Sequence, residues 1–194
     1  PVFSGGAGPR GMTLDGMAAV GGVVGGLLEA QAVLSGSIVS GLRTRPGNWA
    51  GAYTCWGIEN REAAVRFLPA THGNPHGANV EVKVIDPSAN PYFASAAILG
   101  LALAGIRDGA ALPPEVAVDP RDLSEEQRAA VGAVQFPTDQ ADVIAALDRS
   151  ARMRAILGDP AVDALVAVRS YEHRHYADLT PKELTDRFRM AWSL

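Results

Sequence analysis

The stretch Asn79-Val80-Glu81-Val82-Lys83-Val84-Ile85-Asp86-Pro87-Ser88-Ala89-Asn90-Pro91-Tyr92 joins two patterns. Its first half alternates. Val80, Val82 and Val84 share one face, and Asn79, Glu81 and Lys83 share the other, as in a strand lying on a core. Its second half ends in Asn90-Pro91, an N-cap followed by a first-turn proline, which starts a helix. That helix is apolar nearly all round to Ile106, so it is expected to be buried.

Upstream, short strands fit Ala52 to Trp56 and Ala63 to Leu68, and Ser35 to Gly51 reads as loop. Arg43-Thr44-Arg45-Pro46-Gly47 is a turn with two cations beside it. Thr13 is the N-cap of a helix to about Leu34, with Asp15 in its positive first turn. Gly21, Gly22, Gly25 and Gly26 lie at helical spacing and predict a face packed closely on another element. Residues 1–11 are glycine-rich and read as exposed loop. Downstream, a connector runs from Leu112 to about Leu123. Helices then fit Ser124 to Val131, Asp139 to Ser150, Pro160 to Tyr176 and Thr180 to Trp192, the last opened by a capping box with proline at its first position.

Hydrophobic residues make up 47% of the 194 and aromatics only 6%, so the core leans on Ala, Val and Leu. The formal net charge of -4 argues against a nucleic-acid partner. The single cysteine, Cys55, excludes an internal disulfide framework, which fits a cytoplasmic setting. Cys55 itself reads as a packed strand residue. No run is read as a membrane span: the nearest, Phe93 to Ile106, is shorter than the ~20 residues needed. The start lacks a signal-peptide pattern and an initiator Met, as expected of a fragment.

Polar residues gather mid-chain: Arg43, Arg45, Glu59, Asn60, Arg61, Glu62, Arg66, His72, His76, Glu81, Lys83 and Asp86. Glu81 and Lys83 must share a strand face, whereas Arg61 and Arg66 need a turn or bulge to face one cleft. Arginine forks bind phosphate and carboxylate bidentately, and a carboxylate such as Glu81 can ligate Mg2+. Several cations around one carboxylate therefore suit phosphoryl transfer. A solvated strand face carrying surface ion pairs accounts for the same spacing. His173 and His175, two apart on a polar helix, do not share a face and read as surface residues.

Three blocks then resemble the catalytic core of glutamine synthetases. Asn60-Arg61-Glu62-Ala63-Ala64-Val65-Arg66 matches that family's Asn-Arg-Ser-Ala-x-x-Arg. Glu81 to Tyr92 matches an acidic strand leading into Asp-Pro-x-x-Asn-Pro-Tyr. Leu42-Arg43-Thr44-Arg45-Pro46-Gly47 matches Lys-Arg-Leu-x-Pro-Gly. Order and spacing agree over roughly fifty residues, and Gly11-Met12-Thr13 before a long helix also fits.

The resemblance implies an α+β fold with a curved, antiparallel active-site sheet packed against helices. Residues 1–194 would be the C-terminal portion of that catalytic domain. The family's N-terminal domain, its first metal-binding carboxylates and its His-x-His segment would lie outside this chain, so the fragment alone would not turn over. It further implies an ATP-dependent ligase that joins the γ-carboxylate of glutamate to ammonia or another amine through a γ-glutamyl phosphate. Mg2+ or Mn2+ would assist, and the whole protein would form a homo-oligomer of stacked rings with shared active sites. Carried over by position, Arg43 holds the glutamate carboxylate. Arg61 and Arg66 contact ATP phosphates and the transferring phosphoryl group. Glu81 ligates metal, His76 lies near the nucleotide, and Lys83 stands where an arginine usually holds glutamate.

Two further departures from the family pattern matter more. Asn79 replaces an ATP-contacting arginine. Trp49, in Pro46-Gly47-Asn48-Trp49-Ala50-Gly51, replaces a flap glutamate that shields the intermediate and helps deprotonate ammonium. Tryptophan cannot act as a base but can stack on an apolar or cationic amine. The expected acceptor is thus a polyamine or small alkylamine. The alternative is a nucleotide-binding pseudoenzyme with a regulatory role.

Overall fold

A computed structural model describes residues 2–191. A single 3-10 turn, Pro9–Gly11, precedes helix α1, Leu14–Leu34. The Thr13 hydroxyl caps α1 by accepting the Gly16 amide at 3.0 Å and donates to the Val2 carbonyl. A short helical turn α2, Ser40–Arg43, interrupts the segment expected to be loop. Strands β1, Tyr53–Ile58, β2, Ala63–Leu68, and β3, Asn79–Val82, follow. Helix α3 spans Pro91–Asp108, and the Asn90 side chain accepts the Tyr92 and Phe93 amides at its start. The rest is helical: α4, Glu125–Ala130, α5, Gln140–Asp148, α6, Ala151–Leu157, α7, Asp159–His175, and α8, Pro181–Phe188. Trp192, the expected end of the last helix, lies outside the described residues.

Of the four glycines expected on the packed face of α1, Gly21, Gly22 and Gly26 lie against neighbouring atoms, while Gly25 is exposed. A Cβ at Gly22 would stand 2.6 Å from the Gly105 Cα, and one at Gly105 would stand 2.8 Å from the Gly22 Cα. The backbones of α1 and α3 therefore touch, which only residues without side chains permit. By length and mean hydropathy, 1.6, α1 is long and apolar enough to cross a membrane, contrary to the reading that no run is. Yet 67% of that window is buried against the rest of the molecule, as in a central core helix. It packs on α3, α5 and β1.

The chain is α+β, but the sheet is mixed, not purely antiparallel. Its order is β1-β2-β3. β2 and β3 are antiparallel, with Val65 opposite Val82 and Arg66 opposite Glu81. β1 and β2 are parallel, with Tyr53 opposite Ala63 and Ile58 opposite Phe67. A parallel pair needs a connection that returns along the strands. Residues 59–62 make that return, starting at Glu59 with φ 54°. The Asn60 side chain fixes the return by donating to the Val116 and Val118 carbonyls at 2.7 and 3.0 Å.

β1 is buried on both faces. Trp56 lies in the main core with Leu27, Leu34, Phe67, Leu101 and Leu147. Cys55, as expected a packed residue, lies in a second cluster with Ala52, Tyr53, Ala63, Val116 and Ala133. Helix α3 is not buried all round. Ala94, Ala97, Leu101 and Gly105 face inward, while Tyr92, Leu99 and Leu103 are exposed. An apolar helix is covered only where a neighbour exists, and here α1 and α6 cover one side.

Candidate active site

β2 and β3 present their polar face beside the segment from α2 to β1. Arg66 and Glu81 are direct cross-strand partners, and Arg66 Nε lies 2.8 Å from Glu81 Oε2. The Glu81 side chain remains 43% exposed. A pair this exposed contributes only ~0–1 kcal/mol to stability, so its effect is to orient the guanidinium. Arg43, at the end of α2, reaches the far end of the same region. Its Nε lies 3.5 Å from Asp86 Oδ2, and its Nη2 donates to the Ile85 carbonyl at 3.4 Å.

Asp86 had no expected role, yet it anchors Arg43. Its backbone amide donates to the Leu34 carbonyl at 2.9 Å, tying the site to the end of α1. Burial pushes the Asp86 carboxyl pKa up, but hydrogen bonds from the Ser88 hydroxyl and amide, with Arg43 and Ser40, outweigh this and hold it below the usual value. The Asp-Pro-Ser spacing could have signalled this turn, since aspartate commonly accepts the amide two residues on.

Lys83 lies one residue beyond β3, where its amide donates to the Ala64 carbonyl at 2.9 Å. Its ammonium donates to the Trp49 carbonyl at 2.7 Å and to the Arg61 carbonyl. Burial lowers the Lys83 pKa, with Glu81 opposing that shift. Arg61 sits in the return between β1 and β2, where it is exposed. A turn therefore separates Arg61 from Arg66, as their spacing requires. His76 is exposed in the β2–β3 connection and, among the described residues, makes no ion pair or side-chain hydrogen bond. Asn79, on the exposed edge of β3, donates to the Gly77 carbonyl at 2.8 Å.

Trp49 is 69% exposed and has φ 50°. For a bulky residue this left-handed backbone is an outlier costing ~1–3 kcal/mol, persisting only where surroundings impose it. Gly47 and Gly51 flank it with φ 83° and 67°. A Cβ at Gly51 would stand 2.8 Å from the Ala64 Cα, so the loop lies directly on β2.

Among the described residues, no three His, Cys, Asp or Glu side chains cluster as a metal site. Glu81 alone suits a Mg2+ carried on a nucleotide, because Mg2+ takes one or two carboxylates together with phosphates and water.

Cations fixed by carboxylates thus lie on an open sheet face beside an exposed loop, an arrangement able to hold an anionic group. Comparison with known proteins makes this specific. The family model described as "Glutamine synthetase, catalytic domain" matches residues 1–186. The gamma-glutamylpolyamine synthetase GlnA3 of Streptomyces coelicolor is 40% identical over 169 residues, covering 87% of this chain and 36% of that protein. The glutamine synthetase of Archaeoglobus fulgidus is 32% identical over 170 residues, covering 85% of this chain and 34% of that protein. Among solved structures, a novel glutamine synthase homolog superposes with TM-score 0.80 at 26% identity, covering 97% of this chain and 41% of that one. GmaS without ligand superposes with TM-score 0.76 at 28% identity, covering 94% and 40%. The chain belongs to the glutamine synthetase catalytic-domain family, and its named relatives are ligases. It spans about a third of the length of these curated relatives, 36% and 34%.

Proposed function

We propose that the intact protein is an ATP-dependent carbon–nitrogen ligase that joins the γ-carboxylate of glutamate to an amine larger than ammonia. The observation that carries the acceptor class is the exposed Trp49 on the loop over β2. A carboxylate there could take a proton from ammonium, whereas an indole face attracts an alkylammonium by ~0.5–2 kcal/mol. The polyamine acceptor in the name of the 40% identical relative supports the same class.

The chemistry proceeds in two steps. A γ-carboxylate oxygen of glutamate attacks the terminal phosphorus of ATP, and the bond to ADP breaks. The amine nitrogen then attacks the acyl carbon, inorganic phosphate leaves, and the nitrogen loses a proton. Activation is needed because a carboxylate is a poor electrophile with no leaving group. Arg43 binds the substrate carboxylate. Arg66 and Arg61 bind the phosphates, where fixed guanidinium groups stabilise charge on the transferring group. Glu81 would supply one oxygen ligand to Mg2+ or Mn2+, which when bound would neutralise phosphate charge. His76 lies on the nucleotide side. The protein works in the cytoplasm as a ring-forming homo-oligomer.

The test is glutamate-dependent phosphate release by the intact protein with ammonia, methylamine and putrescine in turn. The expected result is greater release with an amine than with ammonia. Ammonia well above every amine overturns the acceptor assignment. A second reading, a nucleotide-binding regulatory member, rests on Asn79, whose amide is engaged with the Gly77 carbonyl. ATP binding without phosphate release for any acceptor would favour it.

A further inference from the structure

We propose that Lys83 is a positioning residue whose ammonium pins the backbone of two substrate-facing segments and so sets where Trp49 stands. This rests on the reading of Trp49 as the acceptor contact. The two carbonyls that receive the Lys83 ammonium belong to different parts of the chain: Trp49 in the loop before β1, and Arg61 in the return between β1 and β2. Lys83 itself is held by its amide to the Ala64 carbonyl at 2.9 Å, so all three segments meet at one residue.

Three features make this a clamp rather than a passing surface contact. The contacted carbonyl is that of Trp49 itself, the residue whose backbone is in the left-handed region. Gly51, two residues on, already lies against β2, so the loop is fixed at that end and the Lys83 contact fixes the indole-bearing residue. An ammonium also has three donors and no acceptor. Two are spent on the carbonyls, so removal of the ammonium frees Trp49 and Arg61 together.

The experiment uses the intact protein labelled with 5-fluorotryptophan, with the Trp49 resonance assigned through W49F. K83M keeps the length of the side chain and removes its donors, and K83R restores charge and donors. In K83M the Trp49 19F resonance is expected to shift or broaden while that of the buried Trp56 stays in place. The KM for the amine is expected to rise about tenfold, the loss of the charge-assisted hydrogen bond to the Trp49 carbonyl, and the KM for ATP to rise with it because Arg61 is freed as well. K83R is expected to recover part of both. An unmoved Trp49 resonance in K83M overturns the proposal whatever reaction the protein performs. An increase confined to the glutamate KM likewise overturns it, leaving Lys83 as a direct ligand of substrate. A moved resonance in a protein that prefers ammonia supports the clamp and sinks the acceptor reading instead.

Discussion

Glu81 carries the sharpest residue-level question, because a strand-face carboxylate beside an arginine has a structural and a chemical explanation. Its pair with Arg66 is too exposed to hold the fold, so Glu81→Ala is expected to change the urea midpoint by less than ~1 kcal/mol equivalent. If Glu81 serves the nucleotide-borne metal, the same variant loses most glutamate-dependent phosphate release in the intact protein. Unchanged release would return Glu81 to a solvated ion pair. Asp86 behaves oppositely. It is only 13% exposed at its side chain and receives two hydrogen bonds from Ser88 as well as Arg43. Asp86→Asn is expected to cost about 1–2 kcal/mol at neutral pH. Because the folded pKa lies below the ordinary 3.8, this stabilisation is present above 3.8 and is lost as pH falls through the lower folded value. Urea midpoints of the two proteins should therefore differ at pH 6 and converge as the pH drops below 3.8. A gap that persists unchanged in strong acid would show that charge is not what Asp86 contributes. That Arg43, Glu81, Lys83 and Asp86 gather in one stretch was legible in the sequence, whereas the roles expected of the first three came from the resemblance and not from spacing. The pairing of Asp86 with Arg43 and the seat of Lys83 on two carbonyls were not legible, because both join segments far apart in sequence.

At the scale of elements, the glycines of α1 separate packing from propensity. Gly25 and Gly22 sit one turn apart on one helix, and helix propensity alone gives Ala about 1 kcal/mol over Gly at either site. Gly25 is exposed, with nothing nearer to an added Cβ than Arg152 Nη1 at 4.0 Å. A Cβ added at Gly22 would stand 2.6 Å from the Gly105 Cα, backbone that cannot swing aside. Gly25→Ala is therefore expected to raise the thermal midpoint, and Gly22→Ala to lower it by forcing α1 and α3 apart. Equal signs for the two would mean that the helices do not touch there. Most of the close face was legible, since glycine at helical spacing has few other uses, and so were the caps at Thr13, Asn90 and Thr180, which depend on a few neighbouring residues. The parallel pairing of β1 with β2 was not. Two short strands four residues apart suggest a hairpin, and only the Asn60 contacts to residues 116 and 118 reveal the return. The end of α5 near Ser150 was legible, but α6 beyond it was not, although Ser150 caps it by accepting the Met153 amide at 2.9 Å. The exposed side of α3 was illegible for a different reason: an apolar pattern states what could be buried, and the presence of a neighbour decides what is.

For the molecule as a whole, β1 divides the interior into two cores, and adjacent residues report on each. Cys55 points into the smaller cluster and Trp56 into the larger, as successive strand residues must. The smaller cluster is closed by Val116 and Ala133, from connecting segments rather than long helices. Segments with few apolar contacts open at lower free energy than a helical core, so the two could open separately. Cys55 is the only cysteine in the chain, which makes it a clean probe. It is 1% exposed, and burial pushes its thiol pKa from 9.0 to about 11, against a hydrogen bond with the Ala64 backbone that lowers it. At pH 8 that shift alone cuts the reactive thiolate by roughly a hundredfold, and burial blocks access to what remains. Labelling by a disulfide reagent should therefore be slow in buffer and should accelerate along the same urea curve as the loss of helical circular dichroism. Coincidence of the two would mean that the strand, its second core and the helices around α1 unfold together. Rapid labelling in buffer with the helical signal intact would mean that the smaller core opens alone, detaching the return that carries Arg61 while the main fold persists.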